Sequence, residues 1–322
     1  MLVRRSVVAS TDGVVVAPEV VGVCRSDLKE LEGRRAVRKD FGHELVGRIV
    51  AAGRRSGRAV GERVCLDPHQ RVERDSGFAE AVVVRGSPRT LADALVPVDD
   101  DAPAERMIFV EPLACAAHCV GILRRRLDGP LSEARVGIVG AGIAGTLIAK
   151  TVEREGASIV LLNRSRERLR FLEARGVLDG NRLQPLDEAP GSQLDAVVVA
   201  TSFAEPEVLL TAQQLIRPGG LVVLYAGTAP GDRWPGTSVD IDRLRRSQRI
   251  VLLPVGDATM TVAGSYGAES GDFHIAKRLL CGEQPLELER LVVDSVPLEE
   301  LPERLRALAA ESPPGKVVVR PS

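Results

Sequence analysis

Several things are missing from this chain of 322 residues, and each absence narrows what it can do. There is no excess of charge: 43 Lys and Arg stand against 44 Asp and Glu, a net charge of −1. No global field draws in a polyanion or a charged membrane surface, so nucleic acid is not an expected partner. No apolar run is long enough to span a bilayer. The basic opening Met1-Leu2-Val3-Arg4-Arg5-Ser6 passes into alternating, strand-like sequence without a signal-peptide core. A soluble cytoplasmic protein with no membrane partner is expected. Cysteine is sparse, odd in number and scattered, at 24, 65, 115, 119 and 281, with no C-x-x-C pair. That pattern argues against a disulfide framework and for a reducing compartment. Internal repeats are absent, and only residues 228–236 form a Pro/Gly-rich loop.

What is present, with 44% hydrophobic residues, is enough apolar material for two domains, each with its own core. Residues 1–108 read as short strands between glycine and charged turns, with apolar alternation at 13–16, 45–50 and 79–84. Residues 109–258 alternate strands with helices: a strand over 195–200, a helix over 207–216, a turn at Pro218-Gly219-Gly220 and a strand over 221–225. This predicts an α/β protein with a doubly wound parallel sheet beside a β-rich domain. From 259 to 322 a helix (273–280), a strand (291–293), a second helix (298–310) and a last strand (316–319) follow, expected to pack back onto the first domain. Cys65, Cys115 and Cys119 read as buried apolar packing.

The second domain opens on its most informative stretch. The strand Arg135-Val136-Gly137-Ile138-Val139 breaks into Gly140-Ala141-Gly142-Ile143-Ala144-Gly145, then a helix, then a buried strand at 158–162. A G-x-G-x-x-G between strand and helix needs one glycine for the bend, one for close approach of a pyrophosphate and one for tight helix packing, and Gly140, Gly142 and Gly145 match in order. The N–H groups of Ile143 and Ala144 at the helix start would face the phosphates. An acidic residue at the end of the next strand would accept hydrogen bonds from the adenosine ribose. Here Asn163 stands in that place, followed by Arg164, Ser165, Arg166 and Arg168. A neutral Asn among guanidinium groups can receive a 2′-phosphate that a carboxylate would repel, so NADP is expected in preference to NAD. The plainer reading makes Ser165 a helix cap and the arginines solvated.

Three fragments of the β-rich part carry metal-ligating residue types: Cys24-Arg25-Ser26-Asp27, Gly42-His43-Glu44 and Glu111-Pro112. With Val60-Gly61-Glu62-Arg63-Val64, the glycine turn and the closing Gly315-Lys316-Val317-Val318-Val319, the chain resembles the zinc-dependent medium-chain alcohol and polyol dehydrogenases. The resemblance runs along nearly its whole length. It implies a GroES-like catalytic domain joined to a Rossmann cofactor domain. It implies Cys24 and His43 as catalytic zinc ligands and Ser26 as the hydroxyl that relays the substrate proton. Asp27 would orient a ligand, Arg25 would reach the cofactor phosphates, and Glu111 would stand at the third ligand position, with Glu44 competing for that role. It also implies a homodimer or homotetramer. Many relatives insert a four-cysteine lobe for a structural zinc after the Gly-Glu-Arg-Val strand. Here residues 67–76 run almost directly into the next strand, so no structural zinc is expected.

Oxidising a secondary alcohol by hydride loss requires an alkoxide, which a Lewis acid makes accessible at neutral pH. Thiolate, imidazole and carboxylate with one open position suit zinc to that task. Three bound anions would blunt the metal's acidity, so one glutamate is expected to bind directly and the other through water or by exchange. Singly, Cys24 could be a small buried hydrophobe, His43 a turn residue, Glu44 a solvated charge and Glu111 a helix opener. His69, His118 and His274 read as structural or surface residues. The sequence thus points to a zinc-dependent NADP(H) oxidoreductase acting on a polyol-, cyclitol- or sugar-like alcohol or ketone. The alternatives are a zinc-free reductase of conjugated carbonyls or quinones and a non-catalytic NADP-binding redox sensor.

Overall fold

The computed structural model describes residues 6–33, 41–189, 191 and 194–321, so most of the basic opening lies outside it. The chain divides into two compact units, residues 1–114 with 269–322, and residues 115–268.

In the first unit the strand Gly13–Gly22 holds the centre of an eight-stranded sheet. It pairs antiparallel with Glu44–Ala52, Val82–Arg85 and the last strand, Lys316–Arg320. Val14, Val16 and Val21 pack with Ile49, Val64, Leu66, Val82 and Val84 into one apolar core. β-Branched side chains on a pleated, buried surface favour this pairing. The expected strand over 79–84 is shorter, because residues 79–81 bend before Val82. Register sets what the sheet's corner contains: Gly22 lies opposite Glu44, and Val23 N–H donates to the Val317 carbonyl at 2.9 Å. The chain therefore leaves one strand at Cys24 just where it enters its neighbour at His43.

The second unit is a seven-stranded sheet. From one edge its strands are Ile250–Val255, Ala258–Gly264, Ile216–Leu224, Leu194–Val199, Arg135–Val139, Ser158–Asn163 and Leu183–Pro185, all parallel except the first. Numbered by sequence, the parallel strands lie in the order 3-2-1-4-5-6 of a doubly wound dinucleotide fold. Ala258–Gly264 belongs to this sheet, so the unit ends after residue 268 rather than at 258, and it begins at 115 rather than 109. The Pro218-Gly219-Gly220 turn is a distortion inside one strand: Leu194 pairs with Ile216 but Ala196 already pairs with Leu221, and Gly219 has φ +76°. Residues 104–126 form one stretch long and apolar enough to cross a membrane, contrary to the reading of the sequence. Of its most apolar window, 83% is buried in the protein. All five cysteines are free thiols.

Candidate functional site

Cys24 caps the start of the helix Arg25–Leu31, and Asp27 reaches back from the first turn so that its Oδ2 accepts the Cys24 N–H at 2.8 Å. The other oxygen of Asp27 accepts from Gly42 N–H at 3.2 Å and lies 3.6 Å from His43 Nδ1. One buried carboxylate thus ties the two motif loops together. On the far side of the imidazole, Ser26 Oγ is 3.5 Å from His43 Nε2. Donor atoms of Cys24, His43 and Glu44 all fall within 4.8 Å of one another.

The electrostatics suit a cation. Burial works against charging His43, yet Cys24, Asp27 and Glu111 around it outweigh that and hold its pKa well above the ordinary range. Burial also raises the pKa of Asp27, against the pull of His43 and of the two N–H groups it accepts from. A thiol, an imidazole and carboxylates gathered in a low-dielectric corner make a soft-plus-hard donor set of the kind zinc takes. Glu111 stands outside the tight trio: its Oε1 lies 3.8 Å from His69 Nε2, although its charge is felt at His43. Arg25 projects half-exposed from the same short helix, 3.8 Å from Glu32.

In the second unit the three glycines of the turn differ in their surroundings. Gly140 has φ +114°, and a Cβ there would meet the Ala200 backbone at 2.9 Å. Gly142 caps the helix Ile143–Arg154 with open space around it; the nearest atom a Cβ would meet is Arg168 Nη1 at 3.7 Å. A Cβ on Gly145 would strike the Gly140 carbonyl. No side chain caps this helix, so the first-turn N–H groups, Ile143 and Ala144 included, stay available to an anion. Asn163 Oδ1 accepts the Ala141 N–H at 3.2 Å, which pins the turn to the end of the neighbouring strand.

Comparison with known proteins agrees with this geometry. Residues 10–90 match the alcohol dehydrogenase GroES-like domain family, and residues 122–218 match the shikimate/quinate 5-dehydrogenase family. An uncharacterized zinc-type alcohol dehydrogenase-like protein of Haemophilus influenzae is 23% identical over 91% of this chain and 86% of its own. Galactitol 1-phosphate 5-dehydrogenase of Escherichia coli is 25% identical over 98% of this chain and the whole of its own. The GroES-like match and these relatives support the medium-chain alcohol and polyol dehydrogenase family. Among solved structures, a zinc-binding dehydrogenase of Sinorhizobium meliloti with NADP bound superposes with a TM-score of 0.74 at 22% identity, covering 97% of this chain and 93% of that one.

Two side chains join the site that the sequence did not single out. Lys316, at the start of the last strand, is buried, and its Nζ lies 2.6 Å from Glu44 Oε2 and 3.2 Å from the Val23 carbonyl. Burial works against its charge, but Glu44 beside it, with Cys24 and Asp27 beyond, more than offsets this and holds its pKa above the ordinary lysine value. Gly22 makes the room, since any Cβ there would collide with the Glu44 carboxylate. The signal was a lone lysine in a buried run of valines. His69, read as structural, is the second: the turn that carries it is held by Asp67, which accepts from His69 N–H at 2.9 Å and Gln70 Nε2 at 2.8 Å.

The arginines after Asn163 divide. Arg166 is taken up by Glu188 at 2.7 Å and Asp187 at 3.0 Å. Ser165 caps the helix Arg166–Ala174 by accepting the Arg168 N–H at 3.3 Å, as the plainer reading had it. Arg164 is exposed, and Arg168 is half-buried beside Gly142, where burial lowers its pKa. His118 bonds Gln248 at 2.6 Å and His274 is exposed, and neither joins a candidate metal-ligating group among the described residues.

Proposed function

We propose that this chain is an NADP(H)-dependent oxidoreductase that interconverts a secondary alcohol and its ketone on a polyol-like substrate, with one catalytic zinc. The observation that carries the reading is the convergence of Cys24, His43 and Glu44 within 4.8 Å, backed by Asp27. Cys24 and His43 would hold the ion, with a glutamate as the third ligand. Asp27 on the Nδ1 side fixes the imidazole tautomer that leaves Nε2 for a metal. Glu44 already faces the ammonium of Lys316, so a second cation gains less from it, and Glu111 is assigned as the direct ligand. When bound, zinc supplies the Lewis acidity that lets a substrate hydroxyl lose its proton near neutral pH. Ser26 Oγ, beside His43, accepts that proton and passes it toward solvent, while the glycine turn and first-turn N–H groups seat the pyrophosphate.

Absorbance at the NADPH band, read across a panel of polyols, cyclitols and matching ketones, tests this. Turnover is expected with at least one such compound, and Ser26→Ala should lower kcat about a hundredfold with NADPH affinity unchanged. Equal loss of both, or no turnover with any member, would contradict the assignment. For the cofactor, Arg164 and Arg168 are assigned to the 2′-phosphate, supported by their place beside Asn163 and Gly142. Arg164→Ala and Arg168→Ala are each expected to weaken NADPH about tenfold and NADH less than about twofold, the size of a charge-assisted hydrogen bond. A symmetric loss, measured by fluorescence titration, would remove the NADP preference.

A further inference from the structure

Arg245 is a largely buried cation with no counter-ion among the described residues, set at the carboxyl edge of the second unit's sheet. It lies in the last turn of the helix Ile241–Arg246, and its Nε donates to the Tyr225 carbonyl at 3.0 Å, one residue past the strand Ile216–Leu224. Its guanidinium lies over the ring of Tyr266, 4.9 Å from the centroid, two residues past Ala258–Gly264. The only two tyrosines of the chain therefore frame one arginine at two adjacent strand ends. The nearest acid is already engaged: Asp242 accepts from Arg246 Nε at 2.9 and 3.0 Å and from Thr228 Oγ1 at 2.8 Å. Among the described residues no carboxylate comes within ion-pair distance of Arg245, and burial lowers its pKa.

A purely structural arginine would explain the bond to Tyr225 and the stacking on Tyr266. It leaves the two Nη groups, with four N–H donors, unused among the described residues, and they are not sealed from the surface. A guanidinium keeps its charge when buried, and a buried charge without a partner is costly. A pinned Nε, a covered face and an outward planar fork together make a bidentate receptor for an oxyanion.

Position identifies which anion. The glycine turn follows Arg135–Val139, and the sheet continues through Leu194–Val199 and Ile216–Leu224 to Ala258–Gly264. At about 4.8 Å per strand, Tyr225 lies about 10 Å and Tyr266 about 14 Å across the sheet from that turn. Asn163, Arg164 and Arg168 lie in the opposite direction, past Ser158–Asn163. Neither the pyrophosphate nor a 2′-phosphate of a dinucleotide seated on the glycine turn reaches Arg245. What remains at the carboxyl ends of these strands is the nicotinamide side, where the second reactant must lie. We infer that Arg245, backed by Tyr266, recognises an oxyanion carried by the substrate, a phosphate ester or a carboxylate. This rests on the reading that the glycine turn seats a dinucleotide.

Calorimetric titration of inorganic phosphate, and separately of acetate, into the NADPH-saturated full chain tests it, because the cofactor's own phosphate sites are then filled. At least one anion should bind in the millimolar range, Arg245→Gln should weaken it at least tenfold, and Arg245→Lys, which keeps charge but not the fork, at least threefold. NADPH affinity should stay within twofold in both variants. Phosphate alone would indicate a phosphate ester and acetate alone a carboxylate. Neither anion binding, equal binding in Arg245→Gln or Arg245→Lys, or a parallel fall in NADPH affinity would overturn the assignment. The readout needs no turnover, so an inactive chain would refute the proposed reaction while leaving this result interpretable.

Discussion

Replacing Cys24 with Ser is expected to lower kcat/KM about a thousandfold, with the melting temperature and NADPH affinity little changed. The size follows from the part the thiolate plays. A serine hydroxyl stays protonated at neutral pH and is a poor zinc ligand, so the variant would lose the proposed Lewis acid, worth several kcal/mol, and about 4 kcal/mol is about a thousandfold in rate. The fold survives because the backbone N–H of residue 24 still donates to Asp27, and the glycine turn belongs to the other unit. His43→Ala should lose as much and add its own packing cost, since the imidazole is buried between Asp27 and Ser26. Steady-state kinetics on the substrate found in the panel, beside thermal melts, reads both variants. A fall of less than about tenfold for Cys24→Ser would mean that the chemistry runs without this corner.

The second large effect is on stability. Lys316→Met leaves the Glu44 carboxylate buried and unpaired, where breaking one half of a buried ion pair costs about 3–5 kcal/mol. Denaturant unfolding should show about 3 kcal/mol lost, and adding Glu44→Gln to that background should restore most of it, because the uncompensated charge is gone. The sign with pH follows from the raised pKa of Lys316. A lysine whose folded pKa exceeds its unfolded value contributes fully below the unfolded value and loses that contribution as pH climbs through the folded one. The wild-type contribution from the Lys316 charge is therefore flat across neutral pH and fades in strong alkali. A Lys316→Met variant within about 1 kcal/mol of wild type would show that Glu44 is not held by it.

Much of this was legible in the residues themselves, and the parts that were not share a cause. The glycine turn could be read because its pattern is local, and at Gly140 and Gly145 the crowding around a would-be Cβ accounts for the residue type. Cys24 and His43 could be read because each sits in a short motif, although only the Gly22–Glu44 register explains why residues 19 apart meet. Lys316 could not be paired with Glu44 from sequence: 272 residues separate them, and the partnership exists only through the pairing of the last strand with the first. The same holds for Glu111 and His69, and for Arg245, whose meaning lies in the company of two strand ends. The boundary at 258 was missed because an antiparallel hairpin, Ile250–Val255 with Ala258–Gly264, closes a sheet that otherwise alternates strand with helix. Arg166, one of three neighbouring arginines after Asn163, is claimed by acids about twenty residues on, which local charge pattern does not reveal.

The central claim is that one zinc ion held at Cys24 and His43 drives the reaction, and zinc analysis of protein purified without chelators tests it most directly. Metal content by mass spectrometry and zinc X-ray absorption should give one zinc per chain, with one sulfur at about 2.3 Å and nitrogen or oxygen at about 2.0–2.1 Å. The ion should be lost in His43→Ala. Clearly less than one zinc per chain together with undiminished turnover would contradict the account.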